Sequence, residues 1–138
     1  MIGVALDTNV LVSANLSEEG LEALVVSLAL NHKIQLYVSE PILQEYERVL
    51  RYPRLKFETK KVARFLARLR RGSALVTPAH TVSASPDEAD SRFLECAEAA
   101  RADFLVTGNK KHFPKRWKVT EVVNTRELLG RIGSSFLK

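Results

Sequence analysis

The chain has 138 residues, 46% of them hydrophobic, and carries 21 Lys and Arg against 16 Asp and Glu, a formal net charge of +5; residues 1–138 read as one domain with one core, without repeat, linker or low-complexity segment. One cysteine, Cys96, excludes an intrachain disulfide, and the scattered His32, His80 and His112 make no zinc pattern with it. The longest apolar stretch, from Leu24 to Leu30, is too short for a bilayer, and Asp7 breaks the first apolar segment where a signal peptide would need it unbroken, so no membrane is expected and the cytoplasm is the expected location.

The first element is a buried strand, residues 2–6, that stops at Asp7. Ser17 then precedes a helical pattern of Leu21, Leu24, Val25 and Leu28, closed by Asn31, His32 and Lys33. Residues 34–38 alternate as a second strand. Ser39 and Pro41 open a helix that turns Ile42, Leu43, Tyr46, Val49 and Leu50 inward and ends at Tyr52-Pro53. A helix over residues 60–71 carries Val62, Phe65, Leu66 and Leu69 on one face, with Gly72 as its stop, and residues 74–77 form a short strand ended by Pro78.

After a turn-rich loop, Ser85-Pro86-Asp87-Glu88 has the makings of a capping box, and the helix it opens runs to about Arg101. Residues 103–107 form the next strand, followed by a turn at Gly108; residues 119–123 form the last, and Thr125 caps a closing helix through Leu128, Leu129 and Ile132. Strands alternate with helices throughout. That order predicts an α/β fold of three α/β/α layers, with a central parallel sheet of four to five strands.

In such a sheet, ligands bind beyond the carboxyl ends of the strands. Asp7 and Asn109 both fall at such ends. For Asp7, cap chemistry and site chemistry explain the position equally well, whereas Asn109 taken alone reads as a turn residue. Asp90 lies one turn into its helix, at the border of the apolar face of Ala89, Phe93 and Ala100, where the helix dipole explains an acid less well than it explains Asp87 or Glu88. Glu45 and Glu47 flank the apolar face of their own helix about equally, so periodicity leaves both open, as site acid or solvated charge. Clustered carboxylates repel unless a cation neutralises them, and hard oxygen ligands select Mg2+ or Mn2+. With a phosphodiester substrate such a site hydrolyses without a protein nucleophile. No Ser or Cys stands beside a convincing base.

Four segments resemble the PIN domain family in order and spacing: Val4-Ala5-Leu6-Asp7-Thr8-Asn9-Val10-Leu11, Ser39-Glu40-Pro41-Ile42-Leu43-Gln44-Glu45-Tyr46, Pro86-Asp87-Glu88-Ala89-Asp90-Ser91-Arg92-Phe93-Leu94, and Asp103-Phe104-Leu105-Val106-Thr107-Gly108-Asn109-Lys110-Lys111-His112-Phe113. The likeness spans nearly the whole chain and is nearest to the bacterial and archaeal PIN proteins described as toxins of toxin-antitoxin pairs. It implies an Mg2+- or Mn2+-dependent endoribonuclease, with RNA as substrate, a homodimeric state and a cognate antitoxin protein. It implies metal binding by Asp7, Glu45 and Asp90, which resolves the tie with Glu47, and supporting hydrogen bonds from Thr8, Asn9 and Thr107. The fourth motif usually carries an aspartate. Here Asn109 stands in its place, an oxygen ligand without charge, and a weaker second metal site, or a single bound metal, is expected.

The basic excess favours polyanions but is also common in proteins that bind none. Lys110, Lys111 and His112 follow the fourth motif as candidate contacts for substrate phosphates. Lys60, Lys61, Arg64, Arg68, Arg70 and Arg71 read as a solvated helix face, and Phe113 and Trp117 as packing residues before base-stacking ones. A haloacid-dehalogenase-type phosphatase would need an aspartate where this chain has Asn9, and a receiver domain would need an acidic neighbour for Asp7. The remaining rival is a PIN-like RNA-binding or interaction module with weak or no catalysis.

Overall fold

The computed structural model describes residues 1–82 and 88–136. Its elements in chain order are β1 (Gly3–Leu6), α1 (Thr8–Leu16), α2 (Leu21–Leu30), β2 (Gln35–Val38), α3 (Glu40–Leu50), α4 (Thr59–Gly72), β3 (Ser73–Leu75), α5 (Glu88–Ala100), β4 (Phe104–Val106), β5 (Arg116–Trp117), β6 (Thr120–Val123) and α6 (Thr125–Phe136), with single 3-10 turns at Pro53–Leu55 and Lys110–His112. The sheet order is β3-β2-β1-β4-β6-β5. Five strands run parallel, as the alternating pattern predicts; β5 is a sixth, two-residue strand pairing antiparallel with β6 at the edge. Successive strand side chains point to opposite faces. Every residue of β1 is buried, so helices must cover both faces of the sheet centre, and the layers are α/β/α.

Several local expectations need correction. Residues 8–16 form a helix, α1, that the sequence reading left unassigned, and Ser17 closes this helix where it was expected to open the next; Gly20 precedes α2. The third strand begins one residue early, at Ser73, and ends at Leu75. Gly72 is the last residue of α4 with a negative φ, so it ends the helix without a left-handed turn. It is buried against α2, where an added Cβ would sit 3.7 Å from the Ala29 carbonyl oxygen. Asn124, not Thr125, caps α6: its Oδ1 accepts from the Glu127 N–H at 2.8 Å, and Glu127 Oε1 accepts from the Asn124 N–H at 3.0 Å. Ser39 caps α3 as expected, its hydroxyl accepting from the Ile42 N–H. The proposed capping residues Ser85, Pro86 and Asp87 lie outside the described residues; the Glu88 carboxylate lies 3.9 Å from Arg92.

Candidate active site

β1 and β4 are neighbours in register, Leu6 opposite Val106, so the residues that follow them share one mouth. Asp7 continues the pairing, its N–H donating to the Val106 carbonyl at 2.9 Å. Asp7 precedes α1 in extended conformation, the geometry of a capping residue, yet its side chain makes no cap hydrogen bond. Instead Asp7 Oδ2 accepts from the hydroxyl of Thr107 at 2.7 Å. Thr107 is fully buried, and the same hydroxyl accepts from the Asn109 N–H at 3.0 Å. The threonine thus ties Asp7 to the loop that carries Asn109. Asn109 likewise makes no side-chain cap bond to the turn it precedes.

Glu45 reaches the same mouth because its neighbour is anchored there. Tyr46 is fully buried in α3, and its hydroxyl donates to the Leu6 carbonyl, one residue before Asp7. Glu45 Oε2 accepts from the hydroxyl of Thr8, the residue after Asp7. Its side chain is 17% exposed, and Arg48 approaches to 3.8 Å. Glu47 is 60% exposed and pairs with Arg51, so it belongs to the surface. Phe93 of α5 packs its ring 6.3 Å from that of Tyr46, which sets the height of α5 against the sheet. One turn earlier on α5, Asp90 is 13% exposed, with His112 Nδ1 3.5 Å from its Oδ2.

Burial pushes the Asp7 carboxyl above the ordinary carboxylate range, against the hydrogen bonds from Thr107 and the Thr8 backbone; the Glu45 charge adds to the rise and His112 opposes it. Burial likewise raises the Tyr46 hydroxyl, helped by Cys96, Asp7 and Glu45. The Cys96 thiol is pushed up to about 12 by burial, which removes it as a nucleophile. Among the described residues no group of three His, Cys, Asp or Glu side chains stands close enough to grip one ion. The Glu45 charge and the His112 ring both act on Asp7, and the same His112 ring stands 3.5 Å from Asp90.

The remaining candidates divide. Lys110 is committed to α6, its Nζ 2.8 Å from Glu127, whereas Lys111 is exposed. Both line a cleft of about 510 Å³ with Lys115, Phe113 and Glu127. Trp117 donates to Glu98 at 2.9 Å and Phe113 is buried, which makes both packing residues. Asn9 lines a different, polar pocket with Asn109. Sequence reasoning missed Tyr46 as the anchor of α3, since an apolar-face tyrosine carries no sign that its hydroxyl will meet a strand end. It also missed the closeness of His112 to Asp90, which depends on the turn at residues 110–112. No helix among the described residues is long and apolar enough to cross a membrane.

The comparisons agree with this architecture. The chain is 28% identical over 112 residues to an uncharacterized protein of Methanocaldococcus jannaschii, covering 79% of this chain and 72% of that protein. The profile of the PIN domain family matches residues 3–111, from the first residue of β1 into the turn after Asn109. PIN domains are typically nucleases acting on RNA and generally use divalent metals. With a mostly parallel sheet flanked by helices and a family match over most of its length, the chain belongs to the PIN domain family.

Proposed function

We propose that the chain is a metal-dependent endoribonuclease that hydrolyses RNA phosphodiester bonds with Mg2+ or Mn2+, residues 1–138 acting as one domain. The observation that carries this reading is the pairing of Asp7 with Glu45. Two carboxylates lie at the carboxyl ends of the sheet, each held by a threonine hydroxyl, and the buried Asp7 is raised by burial and by its acidic neighbour. Such a pair is destabilised on its own and stabilised by a cation. The donors are all oxygens, which suits a hard divalent ion.

Asp7, Glu45 and Asp90 would hold the ion, with Asn109 as a weaker, uncharged ligand. A bound divalent ion supplies polarisation of a phosphoryl oxygen and a water of lowered pKa. Thr107 and Thr8 orient Asp7 and Glu45, and Asn9 stands beside them on α1. Lys111, and Lys110 once released from Glu127, meet the substrate phosphates. A homodimeric state, and a toxin role restrained by an antitoxin protein, rest on the family resemblance.

One observation favours the rival, an RNA-binding module with little catalysis: no three-carboxylate grip is formed among the described residues. An RNA cleavage assay in manganese separates the two. The nuclease reading expects cleavage by the native protein and a loss of at least about 100-fold in Asp7→Asn, the scale of removing a principal electrostatic group. RNA bound but uncut by both proteins would establish the module.

A further inference from the structure

The loop after β4 has two unlike sides. Lys110, Lys111 and Lys115 line the cleft on one side, together with Glu121 and Glu127, which are paired with Arg131 and Lys110. On the other, Asn9, Ser13, Glu22, Asn109, Asn124 and Thr125 line a second pocket of about 210 Å³, which Thr107 and Gly108 also border. Among the described residues that pocket is lined by three amides and three hydroxyls but no Lys or Arg, and its one charge is the Glu22 carboxylate. A phosphate would be repelled there, whereas a neutral ligand rich in hydrogen-bonding edges suits it. The volume falls below the ~300 Å³ at which drug-sized sites begin, so it fits one flat ring system and not a whole nucleotide.

The acceptors make the choice sharper. Asn9 Oδ1 is buried and, among the described residues, accepts no hydrogen bond. A buried acceptor calls for a donor. Glu22 offers a second acceptor in the same pocket. Carboxylate and amide oxygens read the amino groups of bases. The geometry points to a nucleobase subsite beside Asp7, one that takes an amino-bearing base of the RNA while the lysine cleft takes the adjoining backbone phosphates. This rests on the ribonuclease reading but names a site outside the carboxylate group.

Gly108 supplies the test. A Cβ added there would meet only the Asn9 amide, at 3.9 Å from both its oxygen and its nitrogen, so Gly108→Ala fits without a clash and puts a methyl group against that amide. Binding of adenosine, guanosine, cytidine, uridine and free ribose is followed by amide NMR shifts in EDTA, without metal or phosphate, so the result is independent of whether the protein cleaves RNA. Saturable shifts at the backbone amides of Asn9, Gly108, Asn109 and Asn124 are expected with the amino-bearing nucleosides, weaker with uridine and absent with ribose. Gly108→Ala should weaken binding by about tenfold, the effect of one lost hydrogen bond. The native map stands even if the variant fails to fold. No saturable shifts, shifts confined to the lysine cleft, or equal binding of ribose and nucleosides would overturn the subsite. Manganese-dependent cleavage that persists under any of those results leaves the nuclease reading intact.

Discussion

At the sheet mouth, Asp7 and Glu45 each accept from a threonine hydroxyl, and the Glu45 charge acts on Asp7. At the β6–α6 edge, Glu121 and Glu127 each face a cation. Arg131 makes two hydrogen bonds of 2.8 Å to Glu121, and Lys110 stands 2.8 Å from Glu127. The carboxyls respond in opposite directions. Burial pushes Asp7 up, whereas the hydrogen bonds from Arg131 and Lys110 hold Glu121 and Glu127 down. The edge acids are neutralised by the fold itself and contribute to holding it. Asp7 is left with a burial cost that its hydrogen bonds offset only in part, and that asymmetry separates a site from an ordinary charged surface.

The largest test of this contrast is to supply the missing cation. Manganese at about 100 times its dissociation constant should stabilise the native protein by about 2.7 kcal/mol, read as a rise in melting temperature. Asp7→Asn should abolish most of that rise, while Glu121→Gln should retain it. A rise of equal size in native protein and Asp7→Asn would mean that the ion binds elsewhere.

Removing the hydroxyl that orients Asp7 should act next most strongly. Thr107→Val keeps the buried volume but donates nothing to Oδ2, and manganese affinity measured by calorimetry should fall about 10–100-fold, the range for groups that position a metal ligand. Unchanged affinity would make Thr107 a packing residue only.

The acid limb of stability should then divide the two regions. Asp7 has a folded pKa above its ordinary value of 3.8, so its favourable contribution is complete below that pH and is lost as pH rises through the raised value. Glu121 and Glu127 have folded pKa values below 4.5, so theirs is present above 4.5 and lost as pH falls through the lowered values. In metal-free protein, Asp7→Asn should therefore raise stability at pH 7 relative to pH 4, and Glu121→Gln should lower it. Chemical denaturation across pH measures both signs. The smallest expected effect is at the fourth motif: Asn109→Asp adds a charge near Asp7 and should tighten manganese binding, and no tightening would place Asn109 outside the metal site.

Much of the fold could be read from local chemistry. The strand run ending at Asp7, the Ser39 cap and the alternation of strands with helices each rest on neighbours within a few residues, and each appears in the structure. Helix α1 gives a weak helical stripe because Thr8–Leu16 mixes a threonine, two asparagines and a serine with its apolar residues; it is held by packing on α2 and α3. β5 has two residues, too few for any period to show, and exists because β6 offers an edge.

The sequence by itself determined the alternation of strands and helices, that the first strand is buried, and that an aspartate follows it. Helical periodicity left Glu45 and Glu47 tied, because it reports an angle about one axis and both lie at similar angles; the family resemblance chose Glu45. Only the tertiary structure supplied the physical reason, the buried hydroxyl of Tyr46 on the Leu6 carbonyl, which turns Glu45 toward Thr8 and leaves Glu47 with Arg51 in solvent. The same holds for Asp7 and Thr107, a hydrogen bond across 100 residues that no local pattern encodes. Local interactions choose the elements; the polar contacts at their ends appear only when the sheet brings those ends together.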